Sequence, residues 1–363
     1  MGIKHILSFL ILIGISSTSL AQTFVPDDNF EQALIDLGFD TGPLDDYVPE
    51  ANINTITVLE IYGKNIADLT GIEGFLGLEI LNCDDNQLTT LDITKNTALT
   101  ELYFRNNQIP SIDLSTQPDL KILWCENNQL SSLDITNNTK LISLVCSNNP
   151  INNLDVTKNT LLTVLSCDNN QLSSLDITQN TVLSRLNCNY NSLTSLNTSN
   201  NTGLTNLACG DNLITSLNLT NNVNLLQLFC ARIPITNLDV TQNTNLSYLA
   251  FGDNQISSID LSNNTQLILL WCSINLLTDL DVSQNLLLES LLCARNNLTS
   301  LDLSNNGSLT EFSCDFNSLC TLNIKNGNKS KIFKVSSLIS PKLSWLFVDD
   351  VGYRATRWGG VGV

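Results

Sequence analysis

Histidine is almost absent from the chain, and the one present, His5, lies in a segment typical of a signal peptide. Lys4 and His5 give a short basic start, residues 6–15 are apolar, and the small residue Ala21 suits a cleavage site. We therefore predict that residues 1–21 are removed and that the mature protein is secreted or lies at the cell surface. Without histidine, that protein cannot build a Ser-His-Asp triad or a His-ligated zinc site. We expect no catalytic residue, no metal and no cofactor.

Basic residues are also scarce: 17 Lys and Arg stand against 35 Asp and Glu, for a net charge of −18. A nucleic-acid partner requires the opposite sign, and an anionic membrane surface would repel the chain. After the signal segment no apolar run approaches the roughly 20 residues of a transmembrane helix. Only 14% of the residues are charged while 42% are hydrophobic. With Asn, Thr and Ser making up much of the rest, this composition indicates a regular repeat with polar turns.

A 21-residue repeat fills most of the chain. Its unit is Leu78-Glu-Ile-Leu81-Asn-Cys83-Asp-Asp-Asn86-Gln-Leu88, and a second half, Leu91-Asp-Ile93, follows ten residues later. The frame starts at Leu78, Leu99, Leu120, Leu141, Leu162, Leu183, Leu204, Leu225, Leu246, Leu267, Leu288 and Leu309. Alternating inward and outward residues predict two short strands per coil. We therefore expect a solenoid of about twelve coils with two parallel β-sheets and few helices.

The pattern L-x-x-L-x-(L/C)-x-x-N-x-L is that of leucine-rich repeats. Its nested division into ten and eleven residues resembles the IRREKO class of 21-residue leucine-rich repeats, which is found in secreted bacterial proteins. The resemblance covers residues 56–324. In that class a Cys commonly stands near the position of Trp345, before a Val-Asp-Asp stretch. The resemblance implies that Cys320 lacks that possible partner here.

The ends of a solenoid need covers. Residues 22–55 are predicted to form an N-terminal cap, with a helix that starts near Pro26, presents Phe30, Ala33, Leu34 and Leu37 on one face, and stops at Gly38. The repeats occupy residues 56–324. Seven of the 17 basic residues fall within 325–357. This shift in composition marks residues 325–363 as a C-terminal cap or a diverged tail.

Ten of the 11 cysteines share one inward position of the repeat. They are Cys83, Cys125, Cys146, Cys167, Cys188, Cys209, Cys230, Cys272, Cys293 and Cys314. Disulfides are the alternative interpretation for an exported protein. However, Phe104 and Phe251 fill the same position in two coils, so that the position suits any buried apolar group. We therefore predict a row of buried free thiols.

An outward row of acidic residues follows the second predicted strand. It comprises Asp92, Asp113, Asp134, Asp155, Asp176, Asp239, Asp260, Asp281 and Asp302, with Asn197, Asn218 and Asn323 in three coils. Calcium could relieve the repulsion between the carboxylates. The neutral Asn residues favour a solvated face that stabilises turns instead. The spacing follows from the repeat, so it gives no sign of a glycosidase carboxylate pair.

Large apolar residues interrupt the outward face of the first predicted sheet in two places. One contains Tyr103 and Trp124, and the other contains Phe229, Tyr248, Leu269, Trp271 and Leu292. Contiguous exposed aromatic residues usually mark an interface, although they could instead cover lateral gaps or contact an end cap. We predict an exported, monomeric leucine-rich-repeat protein that binds a protein or glycan at the cell surface through this face. A signalling or structural adaptor is the alternative, and a surface carbohydrate-active enzyme is less favoured.

Overall fold

A computed structural model describes residues 21–327, 334–335 and 343–349 of the chain. The predicted signal peptide, apart from Ala21, and most of the predicted tail lie outside the described residues. The described part is a parallel β-solenoid of about 13 coils with few helices. The predicted repeat solenoid is therefore confirmed. Among the described residues, no helix is long and apolar enough to cross a membrane.

The first coil is preceded by two strands and two helices. These are β1 (Gln22–Phe24), α1 (Asp28–Asp36), β2 (Tyr47–Pro49) and α2 (Glu50–Ile53), and β1 pairs antiparallel with β2. The Asp27 carboxylate accepts the first free backbone N–H groups of α1, which starts the helix. Phe30 is buried and stacks on Phe75 of the first coil, with 6.4 Å between ring centroids. Leu37, predicted to face the core, is instead 43% exposed because the helix ends at Asp36.

Seventeen short strands and a 3-10 helix at Ile72–Gly74 build the coils and the C-terminal end. The strands are β3 (Val58–Glu60), β4 (Ile80–Asn82), β5 (Glu101–Tyr103), β6 (Ile122–Trp124), β7 (Ser143–Val145), β8 (Val164–Ser166), β9 (Arg185–Asn187), β10 (Asn206–Ala208), β11 (Gln227–Phe229), β12 (Tyr248–Ala250), β13 (Leu269–Trp271), β14 (Ser290–Leu292), β15 (Ser300–Asp302), β16 (Glu311–Ser313), β17 (Thr321–Asn323), β18 (Lys334–Val335) and β19 (Trp345–Phe347). All except β15, β17 and β19 form one 14-stranded parallel sheet. Equivalent residues of neighbouring coils pair with each other, as Leu102 does with Leu123. These central leucines point into the core.

The second sheet is much shorter than predicted. Only β15, β17 and β19, at the C-terminal end, pair in it. In the earlier described coils, the corresponding segment is unpaired and is followed by a turn. In the coil of Asp134, for example, Oδ1 of that residue accepts the Thr136 backbone N–H (3.0 Å) and the Thr136 hydroxyl (2.7 Å). Asp302 of β15 accepts the Ser304 backbone N–H in the same way (2.8 Å) although β15 pairs with β17, so this turn does not by itself prevent pairing.

Each coil turns sharply after its first strand, through a residue with a positive φ. From Asp85 to Phe316, twelve coils in succession place a non-glycine residue there with φ between 51° and 58°. Asn and Asp tolerate this left-handed conformation best among residues that have a side chain. We call these positions the corner row, and it borders the outward face of the 14-stranded sheet.

An Asn follows the corner residue in almost every coil and closes the turn. Asn149 is typical: its Nδ2 donates to the carbonyls of Cys125, Cys146 and Ser147 at 3.0 to 3.2 Å, and its Oδ1 accepts the Leu130 N–H at 2.9 Å. One buried amide therefore joins two coils. We call the residues at this position the Asn row; Asn side chains commonly satisfy the backbone of tight turns in this way.

Candidate functional site

The predicted apolar cluster lies together on four neighbouring strands of the 14-stranded sheet. We call Phe229, Tyr248, Leu269, Trp271 and Leu292 the sheet patch. The register sets Tyr248 beside Leu269, and Trp271 beside Leu292. Phe229 is exposed and is separated from Trp271 by one strand, while the other four are half-buried. The structure thus brings all five residues onto one outward face.

Trp271 partly covers the sheet as well as facing solvent. A Cβ atom on Gly252 would lie 2.7 Å from the indole, so the ring rests directly on that glycine. Ala250, the register neighbour of Trp271, is only 2% exposed. The indole Nε1 is among the atoms nearest to that Cβ position, at 2.8 Å, so the part of the ring that carries it lies against the glycine. Packing on Gly252 therefore holds the side chain in place.

The second predicted pair, Tyr103 and Trp124, lies several strands away from the sheet patch. The polar atoms of both side chains already have hydrogen-bond partners within the chain. The rings meet edge to face, with centroids 5.2 Å apart. The Tyr103 hydroxyl donates to Glu101 at 2.6 Å, and Trp124 Nε1 donates to the Ser143 hydroxyl at 3.1 Å. The Arg105 guanidinium lies over the Trp124 ring at 5.0 Å. This pair is better explained as a structural cluster than as an open binding surface.

Arg105 also joins two acidic side chains of that cluster. Its Nη2 lies 2.6 Å from the buried Asp84 carboxylate, and its Nη1 lies 3.7 Å from Glu126. Burial raises the pKa of Glu126 above its ordinary value, and the Arg105 charge opposes that shift. Arg105 thus pairs with both carboxyl groups, and Asp84 is itself buried.

Sequence reasoning missed the corner row beside the sheet patch. Its first half carries polar residues, and amides along it bond to each other, as in Asn127 to Asn106 at 2.7 Å. From Tyr190 onward it carries Tyr190, Asp211, Arg232, Asp253, Ile274, Arg295 and Phe316. A β-branched residue at positive φ, such as Ile274, is rare and strained. The departure from Asn is visible in the sequence, but only the backbone reveals its cost.

Two of these corner residues are large exposed apolar groups, and two are arginines. Ile274 is 43% exposed and Phe316 is 48% exposed. Arg232 donates to Asp211 at 2.7 Å and to the Tyr190 hydroxyl at 3.0 Å. Arg295 lies over the Phe316 ring at 4.5 Å and has no ion pair among the described residues. The sequence has no other basic residue between Arg185 and Lys325.

The ten cysteines of the repeat form a buried, unpaired row, as predicted, while Cys320 is exposed. Burial raises the pKa of each of these ten thiols, for example that of Cys209 to about 12. Thiolates are the reactive form of cysteine, so these thiols are expected to be unreactive in the folded chain.

The nine aspartates of the outward row are exposed and individually bonded to the chain. Ser or Thr groups two residues later donate to Oδ1 in every case, which lowers the pKa of each Asp below the ordinary 3.8. A glycosidase acid requires a raised pKa instead. Within the residues that the structure describes, no three His, Cys, Asp or Glu side chains are grouped to hold a metal ion.

Comparisons with known proteins agree with this architecture. A family model described as leucine-rich repeats, two copies, matches residues 97–138. Internalin J of Listeria monocytogenes serotype 4b is 38% identical over 80 residues. That match covers 22% of this chain and only 8% of internalin J.

Solved structures extend the similarity to nearly the whole chain. The functional domain of InlJ from Listeria monocytogenes, which is described as including a cysteine ladder, is 32% identical with a TM-score of 0.69. That match covers 90% of this chain and 71% of the InlJ domain. The internalin inlF from Listeria monocytogenes, at 24% identity and a TM-score of 0.75, covers 89% of this chain and 95% of its own and shares the fold. The chain therefore belongs to the bacterial leucine-rich-repeat proteins that include internalin J.

Proposed function

We propose that this protein is exported and binds another protein through the sheet patch, without catalysing a reaction. The observation that carries the proposal is the group of four neighbouring strands that present Phe229, Tyr248, Leu269, Trp271 and Leu292 outward. Outward residues do not fill the core, so the fold itself does not require large apolar groups there. Exposing them lowers solubility unless a partner covers them.

The chemistry of the patch favours a protein over a glycan. Sugar hydroxyls need several converging hydrogen-bonding side chains, whereas three of the five patch side chains are pure hydrocarbon and the other two, Tyr248 and Trp271, carry one polar atom each. Aromatic and aliphatic anchors of this kind are typical of protein interface centres. The patch therefore suits an apolar segment of a protein partner.

Affinity capture with matched variants tests this proposal. The purified chain without residues 1–21 is immobilised and exposed to bacterial envelope extract and to host-cell extract, beside the Trp271→Ala and Tyr103→Ala variants. We expect at least one protein to be retained by the wild type and by Tyr103→Ala but lost from Trp271→Ala. A protein retained equally by all three variants would place the site elsewhere. Retention on a glycan array that Trp271→Ala abolishes would instead identify a glycan partner.

A further inference from the structure

The second half of the corner row forms a surface whose residues differ from those of the earlier coils. It consists of Arg232, Asp253, Ile274, Arg295 and Phe316, one residue from each of five successive coils, and we call it the corner strip. Small residues, Gly252, Ser273 and Ala294, separate it from the sheet patch. Leu276, two residues after Ile274, is 49% exposed and widens its apolar centre.

The corner strip holds residues that its backbone disfavours. Asn and Asp are the residues best tolerated at these φ values, and six of the seven earlier coils of the corner row use one of them. Left-handed backbone is strained at a bulky side chain, most of all at the β-branched Ile274. Strain of this kind is commonly found where a side chain has a function besides folding. The strip therefore needs an explanation beyond the repeat.

The order of residues along the strip is complementary to its own reverse. Neighbouring coils are equally spaced, at roughly 4.8 Å in the sheet. If a second copy lies antiparallel with Ile274 at the centre, Ile274 meets Ile274. Arg295 then faces Asp253 of the second copy, and Asp253 faces Arg295. One step further out, Arg232 faces the Phe316 ring.

We propose that this protein forms a two-fold symmetric dimer through the corner strip, with Ile274 at the axis. Such isologous interfaces require a surface that matches itself, as this one does. Arg295, which has no ion pair among the described residues of its own chain, gains a carboxylate. The dimer differs from the monomer expected from sequence and is independent of the sheet patch.

The charge of the strip supports a second copy over another partner. The strip carries Arg232, Arg295 and Asp253, and Arg232 is already paired with Asp211 of the preceding coil, so this surface with that partner has no net charge in a chain whose net charge is −18. Like-charged copies repel each other over their remaining surface, but salt screens that repulsion beyond about 8 Å at physiological ionic strength. The only basic residues available between 186 and 324 are therefore placed where two copies would otherwise repel.

Sedimentation equilibrium of the purified chain, from micromolar to near-millimolar concentration at physiological salt, measures the dimer. The variants are Arg295→Asp, Asp253→Arg and the combination of both. We expect each single change to weaken dimerisation by about tenfold or more, because like charges then face each other. The combined variant should recover to within a few-fold of the wild type, because the pair is restored with its charges exchanged. Both substitutions suit the corner, where Asp and Arg already occur.

Arg185→Asp is the matched control. It makes the same charge change on β9, away from the strip, and should leave dimerisation unchanged. A wild type that stays monomeric at every concentration would overturn the proposal, as would single variants that dimerise normally or a combined variant that is not restored. If the protein is monomeric but still retains a protein partner in a way that depends on Trp271, the dimer proposal fails while the proposed function is supported.

Discussion

A single buried amide per coil stabilises much of the backbone in this solenoid. Asn149 is 5% exposed, and its side chain makes four hydrogen bonds to two coils. The fold tolerates one interruption, where Ile233 is buried in the Asn position. There the Ile233 N–H donates to Asn254 Oδ1 at 2.9 Å, so the next coil still supplies an acceptor.

Asn149→Ala should lower the free energy of unfolding by about 2 to 4 kcal/mol, because buried backbone groups lose their partners. Urea denaturation followed by circular dichroism measures this. Asn153→Ala, an exposed position in the same coil, is the control and should change stability by less than about 0.5 kcal/mol. Equal effects of the two variants would show that the Asn row is not structurally important.

The exposed Cys320 and the ten buried cysteines should differ in their reactivity toward a thiol reagent. In the folded protein a thiol reagent should label Cys320 alone, and denaturation without reductant should release ten more thiols. The absorbance of a chromogenic thiol reagent gives the number of reactive thiols before and after denaturation. Fewer than ten new thiols would indicate disulfides, and rapid labelling of several in the native state would show that the row is open to solvent.

At the scale of the structural element, the second sheet is short although its sequence pattern recurs in every coil. Leu-Asp-Ile alternates as a strand does, so the sequence predicts one in every coil. In the structure the Asp side chain bonds to the residue two positions later both in unpaired coils and in the coil of β15, and only the segments of β15, β17 and β19 are also paired. Alternation of apolar residues does not contain that information, because both conformations bury the same Leu and Ile.

These turns should make the protein sensitive to acid. The pKa of each row Asp is lowered in the folded state, so the unfolded state binds protons more readily. Stability is then complete above about pH 4 and is lost as the pH falls through the lowered values. Differential scanning calorimetry should show the melting temperature falling steadily below about pH 4.

Replacing Asp134, Asp155 and Asp176 together by Asn provides the comparison. Asn serves the same turn in this chain, since Asn218 Oδ1 accepts the Thr220 N–H at 3.1 Å. The variant should melt like the wild type at neutral pH and lose less stability in acid. Added calcium should not change either melt. An unchanged acid dependence, or a rise of many degrees with calcium, would contradict the account of this row.

The elements on which the candidate site is built were predictable to different extents. The first strands and the outward direction of Trp271 follow from the strict repeat, because one register holds across all coils. The corner strip was not predictable, since only the backbone shows that Ile274 and Arg295 stand at positive φ. The end of α1 was misplaced by a residue because Leu37 fits the helical pattern but follows the last turn.

At the scale of the whole molecule, the two proposed surfaces have a joint consequence. A dimer through the corner strip would carry two sheet patches, one on each copy. Two linked sites bind a partner displayed at high density more tightly than either site alone, provided that the geometry allows both to engage. This arrangement suits a protein that acts on a surface.

The most direct test of the account is the dissociation constant of a captured protein partner for the wild type and for Trp271→Ala, measured with the melting temperature of each. A central aromatic anchor contributes about 2 kcal/mol or more, so Kd should rise at least about 30-fold. The half-buried indole packs on Gly252, so stability should fall by less than about 2 kcal/mol. An unchanged Kd, or a Trp271→Ala variant that fails to fold, would show that this residue serves packing and that the sheet patch is not the binding site.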